Sequence, residues 1–200
     1  GAMTLLFYNF REREDILRIF EEVSGGRLTP TYLRIGGLAK DLPEGIEGKI
    51  KAFVEAFPGH MKEYETLLTK NVIWLKRTKE VGIISKEDAI NWGVTGPTLR
   101  GSGVKWDVRK AFPYSSYEDF EFDIPTGSVG DVFDRYYVRL REMEWANAIV
   151  KQTLEKLPKG PVLADDPKVV LPPKEMVLTD IASLIRQFKI ASEGFKPPEG

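Results

Sequence analysis

Side chains do chemistry when they titrate, attack or coordinate, and the densest set of such groups here surrounds a glycine-rich turn. Arg100, Asp107, Arg109, Lys110 and Tyr114 lie on either side of Gly101 and Gly103. Two guanidiniums beside such a turn could hold a carboxylate or another anion through paired, charge-assisted hydrogen bonds. The same groups could instead pin a long loop by bonding to backbone and to carboxylates. The chain carries one His, His60, and no Cys. No paired-carboxylate pattern accompanies the arginines, so the pinning reading is favoured and no catalytic residue is assigned. Zero Cys excludes disulfides, thiolate nucleophiles, Cys-ligated zinc and iron–sulfur ligation by these residues. A single His cannot supply a multi-His metal site. His60 follows Pro58-Gly59 and reads as a surface side chain. Glu118-Asp119 reads as an acidic rim, because an all-oxygen cation site needs several convergent ligands. The expectation is therefore no metal and no cofactor bound by these residues.

The 200 residues hold 29 Lys+Arg against 30 Asp+Glu, a net charge of −1. That gives no basic field for duplex nucleic acid, so none is expected as a partner. No apolar run approaches the ~20 residues a bilayer span needs. The elements that would position the polar groups are mostly helical. Leu6, Phe10, Leu17, Phe20 and Val23 recur at helical spacing up to Gly25-Gly26. The run Arg11 to Asp15 reads first as a solvated face with local ion pairs, the favoured reading. The alternative is that Arg13, between Phe10 and Leu17 on that stripe, needs a partner or a subunit boundary. Thr29 to Leu42 reads as a non-helical crossing, with Gly36-Gly37 permitting a turn or close backbone approach. A helix spans 43–71, with a kink or split predicted at Pro58-Gly59. Shorter helices follow over 71–81 and after Ser85, a natural N-cap.

Residues 93–125 combine glycines and prolines with Trp106, Phe112, Tyr114, Tyr117, Phe120 and Phe122. The stretch is too aromatic for disorder. Phe120 to Ile124 alternates as a short strand would, so a small extended or hairpin element is expected within 93–127. The longest helix runs 131–157, with Asp131 and Asp134 favouring its N-terminal dipole. Asn147 sits on its apolar stripe, where it could set register or bond a neighbouring backbone; an ordinary satisfied core Asn is the favoured reading. A last helix covers 174–192. The predicted class is mainly α: one helical domain over 1–200 around the long 131–157 helix, with a small hairpin or extended insert.

Several runs, in order, carry a resemblance. They are Phe7-Tyr8-Asn9-Phe10-Arg11-Glu12-Arg13-Glu14, Arg34-Ile35-Gly36-Gly37, Glu63-Tyr64-Glu65 and Gly82-Ile83-Ile84-Ser85. Next comes Gly93 to Val104, continuing through Trp106-Asp107-Val108-Arg109-Lys110 and Pro113 to Tyr117. Gly130 to Tyr136 and Gly194-Phe195-Lys196-Pro197-Pro198 complete the set. Together the chain resembles the D subunit of the proton-pumping NADH–quinone oxidoreductase, respiratory complex I, which is the hydrogenase-like large subunit of the peripheral arm. The family's chain is longer at both ends, so this sequence is read as a central portion. Gly1-Ala2-Met3 is either a remnant of tag cleavage or the family's own turn into Thr4.

The resemblance implies that this subunit and an adjacent iron–sulfur subunit form the quinone reduction chamber. Electrons would arrive from a [4Fe–4S] cluster held by that neighbour. Phe7 matches a chamber-lining position. Thr29 stands where many members carry a His close to the cluster. Without that His the cluster's potential is expected to be lower and less dependent on pH, because a His takes up a proton when a neighbouring centre gains negative charge. Arg100, Asp107, Arg109 and Tyr114 are expected to pin the loop or meet partners. Implied partners are the iron–sulfur subunit, a protein like the family's C subunit, membrane-arm subunits and quinone. The implied location is peripheral, on the cytoplasmic face of the inner membrane. NADH oxidation, quinone reduction and proton translocation would belong to the assembly, and these 200 residues alone are expected to be inactive. Two rivals share the observations: the large subunit of a related membrane-bound hydrogenase, and a non-catalytic helical interaction module.

Overall fold

The computed structural model describes residues 2–197 and 199. Pro198, the end of the last of those runs, and Gly1 lie outside the described residues. The class is mainly α, as predicted, with one two-stranded hairpin among the described residues. Residue contacts divide the chain into two compact units, one formed by residues up to Ile16 and from Glu47 to Leu157, the other by Leu17–Ile46 and Pro158 onward.

In the first unit, helix α1 (Ala2–Ser24) enters as far as Ile16, followed by α2 (Ile46–Tyr64), a π turn (Glu65–Thr69) and α3 (Val72–Thr78). Then come α4 (Lys86–Asn91), α5 (Gly96–Gly101), α6 (Val108–Ala111), a 3-10 turn (Tyr117–Asp119) and α7 (Val132–Lys156). Leu5, Met61, Tyr64, Leu68 and Leu140 form the core, flanked by Tyr8, Phe57, Trp74, Tyr136 and Met143. The stripe read for α1 is overturned: Leu6, Phe10 and Phe20 are exposed, while Leu5 and Glu12 are buried. The buried face tolerates a carboxylate because α2 supplies its hydrogen-bond donor, as described below.

Helix starts follow local capping. Asn71, Ser85, Asp107 and Asp131 each accept a backbone N–H of the first turn of α3, α4, α6 and α7. Asp131 also accepts Glu80 N–H at 2.8 Å, and Asp134 Oδ2 collects the N–H groups of Ser128, Val129 and Gly130. Arg135 donates to the carbonyls of Gly130 and Gly82. The start of α7 is thereby tied to the segments on both sides.

Pro58 does not split α2. Its missing N–H leaves the Val54 carbonyl without a helical donor, and Asn147 Nδ2 on α7 donates to that carbonyl at 3.1 Å. The proline on one helix thus explains the amide on the other. Asn147→Ala should lower stability by about 1–2 kcal/mol, the worth of one buried satisfied acceptor. In a Pro58→Ala background, which restores a backbone donor, the same change should cost much less. A urea-unfolding double-mutant cycle measures that coupling.

No strand forms in 93–127. Glu121 uses its N–H and carbonyl on the Gln152 side chain, and Gly127 N–H goes to the Arg100 carbonyl. With those groups spent, the alternation of 120–124 has no partner strand. Phe122 is buried all the same, beneath the Arg109 and Lys110 cations.

In the second unit, the hairpin pairs β1 (Leu33–Arg34) with β2 (Gly37–Leu38), turning at Ile35-Gly36. Leu38 N–H and the Gly36 carbonyl bond to Val162 and Ala164. Gly37 has φ +146°, and a Cβ there would lie 2.1 Å from the Val162 carbonyl oxygen, the close approach anticipated for this glycine pair. The last predicted helix is two, α8 (Lys174–Thr179) and α9 (Ile181–Glu193). Asp180 leaves the helical region and caps α9 through Ser183 N–H at 2.8 Å.

Candidate functional site

The polar cluster anticipated at the glycine-rich turn is assembled by α5, α6 and α7. Arg100 is buried, with its Nε donating to Glu142 and its Nη1 to the Trp106 carbonyl at 3.0 Å. Asp107 Oδ2 lies 3.8 Å from Arg100 Nη1. Arg109 grips Asp107 through both carboxylate oxygens, Nε at 3.0 Å and Nη2 at 2.7 Å. These bonds hold the Asp107 carboxyl below its ordinary value against the opposing effect of burial. Arg109 also stacks over Tyr117 and Phe122. Tyr114 is half exposed and meets Tyr117 edge-on at 5.0 Å. The structure therefore brings Arg100, Asp107 and Arg109 together, joins Tyr114 to them through Tyr117, and adds Glu142. Every charged group in the set has a protein partner, so an anion would have to displace one.

Phe7 lies on α1 in the first unit, 63% exposed, on a face with Met3, Leu6 and Phe10 that is open among the described residues. Thr29 is exposed in the second unit, between α1 and β1. Cluster-binding thiolates are absent from the sequence. Among the described residues no group of three or more His, Asp or Glu could hold a metal ion. Nor, among them, is any helix long and apolar enough to cross a membrane.

The first unit holds a cleft of about 810 Å³ bounded by α1, α2 and α7. Phe53, Phe57, Met143, Ala146 and Val150 supply apolar walls, and Glu12, Arg13, Tyr64, Arg139 and Glu142 supply polar ones. Glu12 is 3% exposed. Tyr64 donates its hydroxyl to Glu12 Oε2 at 2.5 Å, and Arg11 Nε donates to Oε1 at 2.5 Å. Arg11 also bridges to Glu63 at 2.7 Å. Burial alone would raise the Glu12 pKa, but the Tyr64 and Arg11 hydrogen bonds outweigh it and the net shift is downward. The Tyr64 phenol is pushed well up by burial and by its bond to Glu12. His60, read as a surface residue, is half-buried, with Nδ1 3.2 Å from Arg11 Nη2 and 3.3 Å from Glu12 Oε1.

Arg139 and Glu142 escaped the sequence reading, and Glu12 and Tyr64, though they stand in its runs, were not singled out as site residues. One signal was available: Leu5, Tyr8, Glu12 and Ile16 repeat at helical spacing, a second stripe interrupted by a carboxylate.

The chain matches the family model described as "Respiratory-chain NADH dehydrogenase, 49 Kd subunit" over residues 1–200. It is 56% identical over 200 residues to the NADH-quinone oxidoreductase D subunit of Geotalea uraniireducens, covering all of this chain and 51% of the relative. The D subunit of Geobacter sulfurreducens is 54% identical with the same coverage. The second C/D-fused NADH-quinone oxidoreductase subunit of Aquifex aeolicus is 50% identical over 204 residues, covering all of this chain and 35% of the relative. The chain thus spans about half the length of the D-subunit relatives it matches. Matched from its first residue to its last, this chain belongs to the family of the 49 Kd subunit of respiratory-chain NADH dehydrogenase.

Proposed function

We propose that this chain forms part of the wall of the quinone reduction chamber in the peripheral-arm subunit of an NADH–quinone oxidoreductase, and scaffolds the neighbouring iron–sulfur subunit. The observation that carries this is the chain-long likeness to D-subunit proteins, whose name couples NADH to quinone. The remaining features agree with a supporting role. The described residues offer packed ion pairs rather than a nucleophile with its base, and the α1 face around Phe7 is apolar and open. The fusion of C and D in the Aquifex relative favours a partner like the C subunit. NADH oxidation, quinone reduction and proton translocation are then properties of the assembly, docked on the cytoplasmic side of the membrane. The terminal [4Fe–4S] cluster is assigned to the partner subunit, as the resemblance to the D subunit implies, and these 200 residues carry no Cys.

The test is purification of the tagged full-length protein from membranes of its source. Iron–sulfur, C-like and membrane-arm subunits should accompany it with NADH–quinone reductase activity, while the 200-residue chain alone should reduce no quinone. Isolation of the protein without an iron–sulfur partner would overturn the reading. Within the active complex, Phe7→Ala should raise the quinone KM about three- to tenfold, the worth of one aromatic contact. Its NADH-to-ferricyanide activity should not change.

Thr29 carries a second expectation. It has no proton to take up when a nearby centre is reduced, so the partner's cluster should show a shallow dependence of potential on pH. Thr29→His should steepen that dependence, because imidazole titrates near neutrality. Redox titration at several pH values reads both. A slope near one proton per electron in the unsubstituted complex would refute the assignment.

A further inference from the structure

A single nitrogen at the edge of the Glu12 cluster has two competing neighbours. His60 Nδ1 on α2 stands 3.2 Å from Arg11 Nη2 and 3.3 Å from Glu12 Oε1, both on α1. Toward the guanidinium it can only accept, which requires a bare Nδ1. Toward the carboxylate it can only donate, which requires a proton on the same atom. One proton therefore decides which contact is made. Glu12 Oε1 is contested as well, because Arg11 Nε already donates to it at 2.5 Å. The charged and titratable groups of the cluster are Arg11, Glu12 and Tyr8 on α1 and Glu63 and Tyr64 on α2. Arg11 is shared by two carboxylates, Glu12 and Glu63, and lies over the Tyr8 ring, while Tyr64 brings a neutral phenol to Glu12 Oε2. With His60 neutral the set has one more negative than positive charge. A proton on the imidazole gives each carboxylate a cation of its own.

We propose that His60 is a proton-operated clamp between α1 and α2. Neutral, it accepts from Arg11, which holds Glu12 and Glu63 at once. Protonated, it takes Glu12 Oε1, repels Arg11 and leaves the guanidinium to Glu63 alone. The exposures suit this exchange. The Arg11 side chain is 47% exposed, so its guanidinium moves within solvent, whereas Glu12 at 4% is fixed and must keep a donor on each oxygen. It does so in both states, with Tyr64 on Oε2 and a cation, Arg11 or His60, on Oε1. The protonated arrangement bridges the helices more tightly. Its two ion pairs, His60 with Glu12 and Arg11 with Glu63, both run from one helix to the other, in place of an Arg11–Glu12 pair within α1. Histidine changes charge near neutrality, well above the range in which carboxylates take up protons. The clamp therefore closes while both carboxylates are still ionised. It needs no partner protein, so its failure would leave the reading of the chain's function standing.

The experiment measures hydrogen–deuterium exchange in the purified full-length protein by mass spectrometry, from about pH 5 to about pH 9, the span over which imidazole changes charge. Exchange at the His60 C2 carbon gives the titration midpoint of the ring. Backbone exchange over α1, corrected for its intrinsic dependence on pH, reads how firmly α2 holds α1. Arg11→Gln removes the competitor and should raise the proton affinity of His60 at least about threefold. Glu63→Gln removes the carboxylate to which Arg11 retreats and should lower that affinity at least about threefold. Neither variant touches the buried Glu12–Tyr64 bond, so both should fold. In the parent, α1 protection should rise as pH falls through the His60 midpoint, and in His60→Gln it should not change there. A midpoint indifferent to both variants or a shift of either in the opposite direction overturns the proposal. So does α1 protection that stays flat in the parent or changes equally in His60→Gln.

Discussion

Arg100→Ala is expected to remove about 3–5 kcal/mol of stability, the cost of breaking a buried ion pair on one side. Arg100 is 8% exposed and is the shared partner of Glu142 on α7 and the Trp106 carbonyl in the loop that leads to α6. Deleting it strands the Glu142 carboxylate in a site that is 18% exposed and frees the Trp106 carbonyl. Asp107 keeps Arg109, so the loss centres on the α5–α7 contact. Replacing both partners, Arg100→Met with Glu142→Met, should recover much of the loss, because a hydrophobic pair of similar volume pays no desolvation cost. Urea unfolding followed by tryptophan fluorescence gives both numbers. A loss below about 1 kcal/mol in the single variant would show that the pair is solvated and that the loop is pinned elsewhere.

Features set by a few consecutive residues were legible from the sequence. The long helix predicted over 131–157 is α7, capped by Asp131, because the cap and the apolar spacing lie in one stretch. Ser85 starts α4 for the same reason. What depended on distant partners was not legible. On α1, the stripe of Leu6, Phe10 and Phe20 is more apolar than that of Leu5, Tyr8 and Glu12, yet the second is buried. Periodicity reports which face is greasy, not which face finds Met61, Tyr64 and Leu140 within these residues. The carboxylate that spoiled the second stripe is paired with a hydroxyl 52 positions away. Phe120 to Ile124 had the alternation of a strand but no edge to join. The break at Asp180 turned on the choice between a helix-interior and a capping aspartate, which one side-chain bond to Ser183 decides. At the candidate site, Arg100, Asp107 and Arg109 were visible as a local cluster, whereas Glu142, Tyr64 and Arg139 became neighbours only through packing.

The Glu12–Tyr64 pair supplies the second large effect, and its sign follows from the direction of the Glu12 shift. The carboxyl's pKa is lower in the folded chain than in the unfolded one, where a glutamate titrates near about 4.3. The stabilisation is therefore fully present above that value and is lost as pH falls through the folded-state pKa. Tyr64→Phe removes the hydroxyl and leaves one buried Glu12 oxygen without its donor, costing about 1–3 kcal/mol at pH 7. As Glu12 becomes protonated in the parent, the charge-assisted part of the bond disappears, so the gap between parent and variant should narrow at acid pH. Glu12→Gln should keep the shape while removing the charge. Its amide oxygen can still accept from Arg11 Nε, while its NH2 must donate to the Tyr64 hydroxyl in place of the Tyr64 O–H donating to a carboxylate oxygen. Its unfolding free energy should fall less steeply on acidification. The acid limb will not vanish in that variant, because Asp107, Asp123 and Asp180 are also held below their ordinary values by Arg109, Lys105 and Ser183 respectively. Urea unfolding between pH 7 and 3 tests the argument. A Tyr64→Phe deficit that stays constant or grows on acidification would mean that Glu12 enters the fold already protonated, and that its bond with Tyr64 is an ordinary neutral one.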